Sequence, residues 1–149
     1  MGYDMAGEFS IPTVTGLHSA LLAPDSQPEA YNDDSAVKAL NAVGISNSQI
    51  ILGVPSYGRA VGGVTASGIG QNFTLAVQGD LDTPGCSTTP GVSTSCGGTF
   101  SYTSLLQSAY TPTEVEVGNQ DIGAYTYDGD KQWFVSYDSP SSIAFKAIM

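Results

Sequence analysis

The chain has 149 residues, which is enough for one ordinary domain core but short of the roughly 200 to 250 residues of a complete (β/α)8 barrel. Its mean hydropathy is near zero (+0.01), and no segment approaches the about 20 apolar residues of a membrane span, so we expect no membrane partner. Fourteen acidic residues against four basic ones give a net charge of −10, which would repel nucleic acid and favours a neutral ligand.

The first nine residues place polar and aromatic side chains close together. Tyr3 and Asp4 are adjacent, with a methionine on either side and Phe9 at the end of the stretch. Neighbouring side chains of a strand point to opposite faces, so this pair can reach one point only where a strand ends and bends. Barrel strands present catalytic groups in this way at their carboxyl ends. We therefore expect residues 1–9 to end a strand at a site.

Residues 33–44 have the pattern of a complete helix. Acidic and hydroxyl residues suit its start, apolar residues recur on one side, and Gly44 ends it. The apolar run at residues 49–54 favours a strand buried on both faces of a parallel sheet. That run leads into Tyr57-Gly58-Arg59, so two successive parallel strands would direct polar and aromatic groups to the same rim.

The rest of the chain has a different texture. Residues 61–120 are rich in Gly, Ser and Thr and too long for a simple connection, so we expect an insertion with strands of its own. Within it, residues 101–108 predict a short helix. Residues 122–128 and 132–138 predict a β-hairpin, and Pro140 begins a further helix.

Two cysteines, Cys86 and Cys96, have nine residues between them. Together with a single histidine they give no credible zinc set, so we expect no metal, and we expect no cofactor. A local disulfide in an oxidising compartment is the favoured interpretation and predicts a secreted, extracellular protein; two free surface thiols are the alternative. His18 has no carboxylate or cysteine nearby in sequence, so we expect it to make a structural hydrogen bond outside the site.

Three motifs together resemble the family-18 glycoside hydrolases, the chitinases. They are Met1-Gly2-Tyr3-Asp4, Tyr57-Gly58-Arg59 and the Tyr-Asp-Ser-Pro-Ser-Ser-Ile run that begins at Tyr137. The family has Met-x-Tyr-Asp on its sixth barrel strand, Tyr-Gly-Arg after its seventh, and then a small α+β insertion. The resemblance covers nearly the whole chain.

The resemblance implies an α/β fold with an α+β insertion. Residues 1–60 would be a partial (β/α)8 TIM-barrel segment with strands six and seven, residues 61–138 the chitinase insertion domain, and residues 139–149 the start of barrel helix seven. A chain that holds only these two barrel strands would expose sheet edges, which invite self-association.

The resemblance also implies a substrate and a set of roles. The substrate would be chitin or a chitooligosaccharide, whose own acetamido group acts as the nucleophile in a retaining, substrate-assisted reaction. Tyr3 would steady the acetamido oxygen, and Asp4 would bind sugar near the scissile bond; these two form the expected catalytic pair. The expected substrate-binding residues are Met1 under the reacting sugar, Phe9 on the leaving-group side, and Tyr57 and Arg59 toward the non-reducing side.

One part of the family pattern is missing. The family's catalytic acid closes an Asp-x-x-Asp-x-Asp-x-Glu strand, and no such pattern occurs in these residues. The first hypothesis is therefore a portion of a secreted chitinase that supplies substrate-binding and oxazolinium-stabilising groups but no acid, and that is inactive alone. The alternatives are a non-catalytic, lectin-like chitin-binding module and a structural or protein-interaction domain built around the insertion.

Each candidate residue also has a structural interpretation. The methionines and Phe9 would be core residues, Arg59 would pair with a nearby acid, and Tyr3 with Asp4 would cap a strand.

Overall fold

The computed structural model describes residues 1–108 and 110–148. Within them, the chain forms helices, short strands and long irregular segments. In chain order the elements are α1 (Asp33–Ala42), a 3-10 turn (Asn47–Gln49), β1 (Tyr57–Gly62), β2 (Leu75–Ala76), β3 (Thr99–Ser101), α2 (Tyr102–Gln107), β4 (Thr113–Val117), β5 (Gln120–Asp128), β6 (Trp133–Tyr137) and α3 (Pro140–Ile148).

The strands form one antiparallel sheet in the order β2-β1-β6-β5-β4, and β3 also pairs with β1. The predicted hairpin is confirmed as β5 and β6, with Thr126 opposite Val135. The Asp128 carboxylate fixes its turn by accepting hydrogen bonds from the backbone N–H groups of Asp130 and Lys131, at 3.1 and 3.0 Å. Asp side chains often stabilise tight turns in this way, by accepting hydrogen bonds from backbone N–H groups two or three residues further along the chain.

Strand β6 is buried on both faces, and its alternating side chains serve two parts of the core. Val135 and Tyr137 belong to a cluster with Leu105 of α2. Phe134 points to the other face, where it stacks on Tyr125 at 4.9 Å. The sheet therefore has apolar cores on both faces. Burial of each large apolar side chain contributes about 1.5 to 3 kcal/mol to the stability of the fold.

The predicted helices are confirmed. Helix α1 begins after Asn32, whose side-chain oxygen accepts a 2.8 Å hydrogen bond from the Ser35 N–H, and the chain leaves it through Gly44 at φ 94°. Helix α2 is capped by Ser101, and α3 begins at Pro140. In the described part of the chain, none of the helices is both long and apolar enough to cross a membrane.

The two predicted parallel strands are wrong. Neither residues 1–9 nor residues 49–54 form a strand, and among the described residues their backbones share one hydrogen bond, from Gly2 N–H to Gly53 O at 3.2 Å. Ile51 is 94% exposed, so the apolar run is not buried on both faces. A strand requires a repeating ladder with a neighbour, and no neighbouring backbone in the described structure supplies one.

Tyr57 also stands in a different place from the one expected. It begins the antiparallel strand β1 instead of following a parallel strand. The expected boundary between residues 60 and 61 falls within that strand, so β1 is shared by the two predicted domains. The division into a barrel segment and an insertion domain stays a prediction.

A buried polar cluster joins the N-terminal segments to the sheet and α3. Lys146 of α3 donates to Asp138 Oδ2 at 2.8 Å and to the Ser19 carbonyl at 2.6 Å. Ser19 Oγ in turn donates to the Gly2 carbonyl at 2.7 Å. Asp33, the first residue of α1, lies 3.8 Å from the same ammonium group. These residues, called the Lys146 cluster below, connect the segment of residues 1–20 to the sheet and α3 and so help to position the site.

Candidate functional site

The site begins at a turn in the N-terminal segment. Asp4 has φ 61°, a left-handed conformation that costs a residue with a Cβ about 1 to 2 kcal/mol. The next backbone N–H, that of Met5, donates to the carbonyl of His18 at 2.9 Å and so holds the turn. Tyr3 and Asp4 therefore stand at a bend, as expected, although no strand precedes it.

The Asp4 carboxylate is the centre of the site. Its Oδ1 accepts a 2.8 Å hydrogen bond from the Tyr57 hydroxyl and another of 2.8 Å from Arg59 Nε. Tyr57 and Arg59 are two positions apart on β1, so they extend from the same face of the sheet. The Asp4 side chain remains 33% exposed. Among the described residues, all of these contacts fall on Oδ1, which leaves Oδ2 free to accept from a ligand.

The guanidinium of Arg59 is fixed from several directions. Its terminal nitrogen donates to the Gly97 carbonyl at 3.0 Å and to Thr99 Oγ1 at 2.8 Å, and Thr99 is its register partner on β3. The group also lies 5.8 Å from the ring centroid of Phe9 and 5.5 Å from that of Tyr57, within the range of a cation–π contact. Arg59 thus joins Asp4 to two aromatic rings.

Charges in this network are well defined near neutral pH. Burial opposes the ionisation of Asp4, but the hydrogen bonds from Arg59 and Tyr57 and the guanidinium charge outweigh it and hold the carboxyl pKa below its usual value. Burial and the neighbouring Asp4 carboxylate raise the pKa of Tyr57 to about 12. The site therefore consists of a carboxylate, a guanidinium and a neutral phenol donor.

The other predicted residues differ in how close they come. The Tyr3 ring meets Tyr57 edge to face, with centroids 6.1 Å apart. Phe9 is 45% exposed and contacts the Arg59 guanidinium with its ring. Met1 is 90% exposed, and of the six predicted residues only Asp4 and Phe9 line the cleft described next. The structure thus brings together five of the six predicted sugar-contacting residues and leaves Met1 apart.

An open cleft of about 1000 Å³ begins at Asp4, which is the size of a site for a small organic ligand. One wall consists of Asp4, Met5 and Phe9, and the opposite wall of residues 27–32 and the start of α1. Tyr31 stands on that wall with 81% of its surface exposed. The cleft combines apolar and aromatic surface with two carboxylates, those of Asp4 and Glu29.

The disulfide loop lies beside this wall. Cys86 and Cys96 are joined in a disulfide, and the enclosed loop reaches Glu8, the neighbour of Phe9. Glu8 Oε2 accepts from Ser95 Oγ at 2.9 Å and from the Gly91 N–H at 3.2 Å. The loop therefore supports the segment that carries Asp4 and Phe9.

His18 is the residue that sequence reasoning missed. It is fully buried, its Nδ1 lies 4.0 Å from Asp4 Oδ1, and its ring centroid is 5.3 Å from that of Tyr57. The side chain of His18 makes no hydrogen bond of good geometry with the described residues, although the backbone of Tyr57 lies near enough to favour its protonated form and so raise its pKa. No spacing rule links positions 4 and 18, since the contact arises only when the loop between them folds back.

Comparisons with known proteins all point to the same family. The sequence pattern of the Glycosyl hydrolases family 18 matches residues 1–149. Chitinase 1 of Aphanocladium album is 29% identical over 148 residues, which are 98% of this chain and 30% of that protein. Chitinase C of Streptomyces lividans is 29% identical over 98% of this chain and 20% of its own length.

Solved structures show the same fold. The chitinase RmChi1 of Rhizomucor miehei superposes with a TM-score of 0.80 at 21% identity, over 99% of this chain and 43% of that one. The catalytic domain of the psychrophilic chitinase B of Arthrobacter TAD20 gives a TM-score of 0.76 at 26% identity, over 99% of this chain and 30% of that one. The chain spans less than a third of the length of the curated relatives named above. By its motifs, its fold and the match along its whole length, this chain belongs to glycosyl hydrolase family 18.

Proposed function

We propose that this chain is the sugar-contacting portion of a secreted chitinase that cleaves β-1,4-linked N-acetylglucosamine polymers. The support is the family match along the chain and the resemblance to two proteins named as chitinases, from Aphanocladium album and Streptomyces lividans. In the complete enzyme, residues 1–60 would belong to a TIM barrel and residues 61–138 to an insertion domain.

The observation that carries the proposal is the arrangement around Asp4. A carboxylate with one oxygen bonded by Tyr57 and Arg59 and the other free is a strong acceptor for a sugar hydroxyl or amide N–H. Phe9 and Tyr31, both substantially exposed along the cleft, offer apolar faces against which a pyranose ring can pack. A neutral carbohydrate suits a chain with net charge −10 better than an anionic ligand does.

The proposed mechanism uses the substrate's own acetamido group as nucleophile. The Tyr3 hydroxyl would hydrogen-bond the acetamido group and hold its oxygen beside the anomeric carbon, to which that oxygen bonds as the glycosidic C–O bond breaks. Asp4 would bind the sugar and orient its acetamido group, and Arg59 would keep the Asp4 carboxyl ionised. The Asp-x-x-Asp-x-Asp-x-Glu pattern that supplies the acid does not occur in this sequence. We therefore propose that the isolated chain binds the sugar without hydrolysing it.

The test is binding of a soluble chitooligosaccharide to this chain, measured by isothermal titration calorimetry for the wild type, Asp4→Ala and Asp130→Ala. Loss of a hydrogen bond to a charged group costs about 1.5 to 3 kcal/mol, so we expect Asp4→Ala to weaken binding by about tenfold to a hundredfold. Asp130 is exposed in the hairpin turn at the opposite end of β6, and its variant should bind as the wild type does.

Two results would overturn the proposal in separable ways. Absence of sugar binding by the folded wild-type chain, or equal binding by Asp4→Ala, would refute the sugar-contacting role. If the purified wild type hydrolyses the oligosaccharide and Asp4→Ala does not, the sugar-contacting role stands, but the proposal that the chain lacks a catalytic acid is refuted.

A further inference from the structure

The imidazole of His18 is a buried titratable group beside the site that the proposed mechanism does not use. Its two nitrogens have no hydrogen-bond partner among the described residues although the ring is fully buried. A buried polar group without a partner is costly, typically about 1 to 3 kcal/mol, and requires a reason. An apolar ring of the same size would avoid that cost.

The backbone of His18 is anchored at both ends. Its N–H donates to Ser136 Oγ on β6 at 2.9 Å, and its carbonyl accepts from Met5 N–H at 2.9 Å, directly after the strained Asp4. The ring therefore occupies a fixed place under Tyr57, with Nδ1 4.0 Å from Asp4 Oδ1. That separation is too long for a hydrogen bond but short enough for a rotation of the Asp4 side chain to close it.

Asp4 has a reason to rotate. In the free chain its Oδ1 is shared by Tyr57 and Arg59, and a sugar that donates to the free Oδ2 would turn the carboxylate and lengthen one of those bonds. A third donor behind the carboxylate would keep its orientation when one of the two existing bonds lengthens. His18 Nδ1 lies where such a donor is needed.

We propose that His18 is a positioning residue for Asp4, a neutral imidazole whose Nδ1–H becomes a hydrogen-bond donor to the carboxylate when a sugar is bound. The inference rests on the proposed sugar site and adds a residue to it. His18 touches no sugar and transfers no proton; it acts through Asp4.

The charges around the ring agree with a neutral donor. Burial is the main cause that lowers the pKa of His18 to about 3; the positive charges of Arg59 and Lys146 act in the same direction, and the Asp4 carboxylate and the Tyr57 backbone oppose them. The ring is thus uncharged between about pH 5 and 8, the interval in which a free histidine titrates. A neutral ring carries one N–H, and the nearby carboxylate favours placing that proton on Nδ1.

The decisive variant is His18→Phe, which keeps an aromatic ring, somewhat larger than imidazole, and removes both nitrogens. A purely structural role predicts that it folds with an equal or higher melting temperature and binds chitooligosaccharide like the wild type. A positioning role predicts an equal or higher melting temperature together with binding about tenfold weaker. His18→Gln, which restores a side-chain donor, should recover part of that loss and also serves if the phenylalanine variant does not fold.

A double variant tests whether His18 acts through Asp4. If it does, His18→Phe combined with Asp4→Ala binds no more weakly than Asp4→Ala alone. If the loss of affinity in the double variant equals the product of the two single losses, the proposal is overturned. It is also overturned if Asp4→Ala weakens sugar binding and His18→Phe leaves it unchanged.

A spectroscopic measurement separates this inference from the proposed function. The chain contains one histidine, so nitrogen NMR of ¹⁵N-histidine-labelled protein reports on His18 without ambiguity. We expect a neutral ring with the proton on Nδ1 from pH 5 to 8, and a shift of that resonance in Asp4→Asn. A proton on Nε2, or a ring that titrates near pH 6.5, would refute the His18 inference whether or not the chain binds sugar.

Discussion

The sheet with α3 and the N-terminal part of the chain are built in different ways. From residue 57 onward the strands pair in one sheet, as in the ladders of β1 with β6 and β5 with β6. The described residues 1–31 have turns, one isolated bridge at Val14 and a few long-range hydrogen bonds in place of strands. The difference matters because the site takes Tyr57 and Arg59 from the first region and Tyr3 and Asp4 from the second.

A site divided in this way depends on the polar links between its two halves. These links include the Asp4 bonds to Tyr57 and Arg59, the His18 N–H bond to Ser136, the Glu8 contact with the disulfide loop, and the Lys146 cluster, which is almost wholly buried. Polar links are directional, so they fix the angle of a loop more closely than apolar packing does. The comparison predicts that weakening a link should loosen the N-terminal region while the sheet persists.

The largest effect is expected from Lys146→Met. Its ammonium and the Asp138 carboxylate are both about 1% exposed, and removal of one partner of a buried pair costs about 3 to 5 kcal/mol. Urea denaturation measures the change in the free energy of unfolding, and hydrogen exchange should show residues 1–20 opening before β5 and β6. The matched control is Lys38→Met, whose pairing with Asp34 is largely exposed and contributes about 0.5 kcal/mol.

An equal effect of the two lysine variants would refute the role of the Lys146 cluster. Loss of protection at the same rate in both regions would refute the division between them, because it would mean that the chain opens as one unit.

The elements that sequence predicted correctly are those determined by nearby residues. Helix α1 follows from its own cap and periodicity, and the β5–β6 hairpin from two aromatic strands around an Asp-Gly turn. The strands at residues 1–9 and 49–54 were predicted from an apolar or motif pattern, but a strand also requires a pairing neighbour, which local sequence cannot reveal. Local order was therefore predictable, and sheet membership was not.

The residues in and around the site show the same difference between what local sequence predicts and what it does not. Tyr3, Asp4, Tyr57 and Arg59 were identified because they occur in recognisable motifs, and the structural interpretation of Arg59 as the partner of an acid also holds. His18 and Lys146 were not identified, because each reaches the rest of the chain through a contact far away in sequence: Ser136 for the first and Ser19 for the second, although Asp138, the charge partner of Lys146, is eight residues away. Contacts of this range carry no periodicity that a single sequence displays.

A smaller effect, dependent on pH, is expected from Asp33→Asn at the junction of α1 with the Lys146 cluster. Burial raises the pKa of Asp33 to about 6, against the opposing charge of Lys146, from an ordinary value of 3.8. Between these two pH values the unfolded chain releases this proton and the folded chain keeps it, so the free energy of unfolding falls as pH rises. Below 3.8 and above about 6 the contribution is constant.

Asparagine cannot titrate, so the variant should lack this fall. The difference in unfolding free energy between wild type and Asp33→Asn should decrease by about 1 to 2 kcal/mol from pH 3.8 to 6, after an allowance for solvent screening. Denaturation at a series of pH values measures it, and Asp34→Asn at the adjacent position should keep the wild-type fall. A difference that does not change with pH would show that Asp33 is no more costly to ionise in the folded chain than in the unfolded one.

The smallest effect is expected from Glu8→Ala, which separates the disulfide loop from the segment that carries Phe9. Glu8 makes two hydrogen bonds with partly exposed groups of that loop, so its loss should cost less than about 1 kcal/mol. Because Glu8 adjoins Phe9 and not Asp4, sugar binding should weaken by no more than a few fold, while hydrogen exchange of residues 87–95 accelerates. The matched control is Glu116→Ala on the exposed edge strand β4, which should change neither quantity. Faster exchange throughout the sheet in Glu8→Ala would contradict a link that acts on one loop, and would place the disulfide loop within the cooperative unit of the sheet.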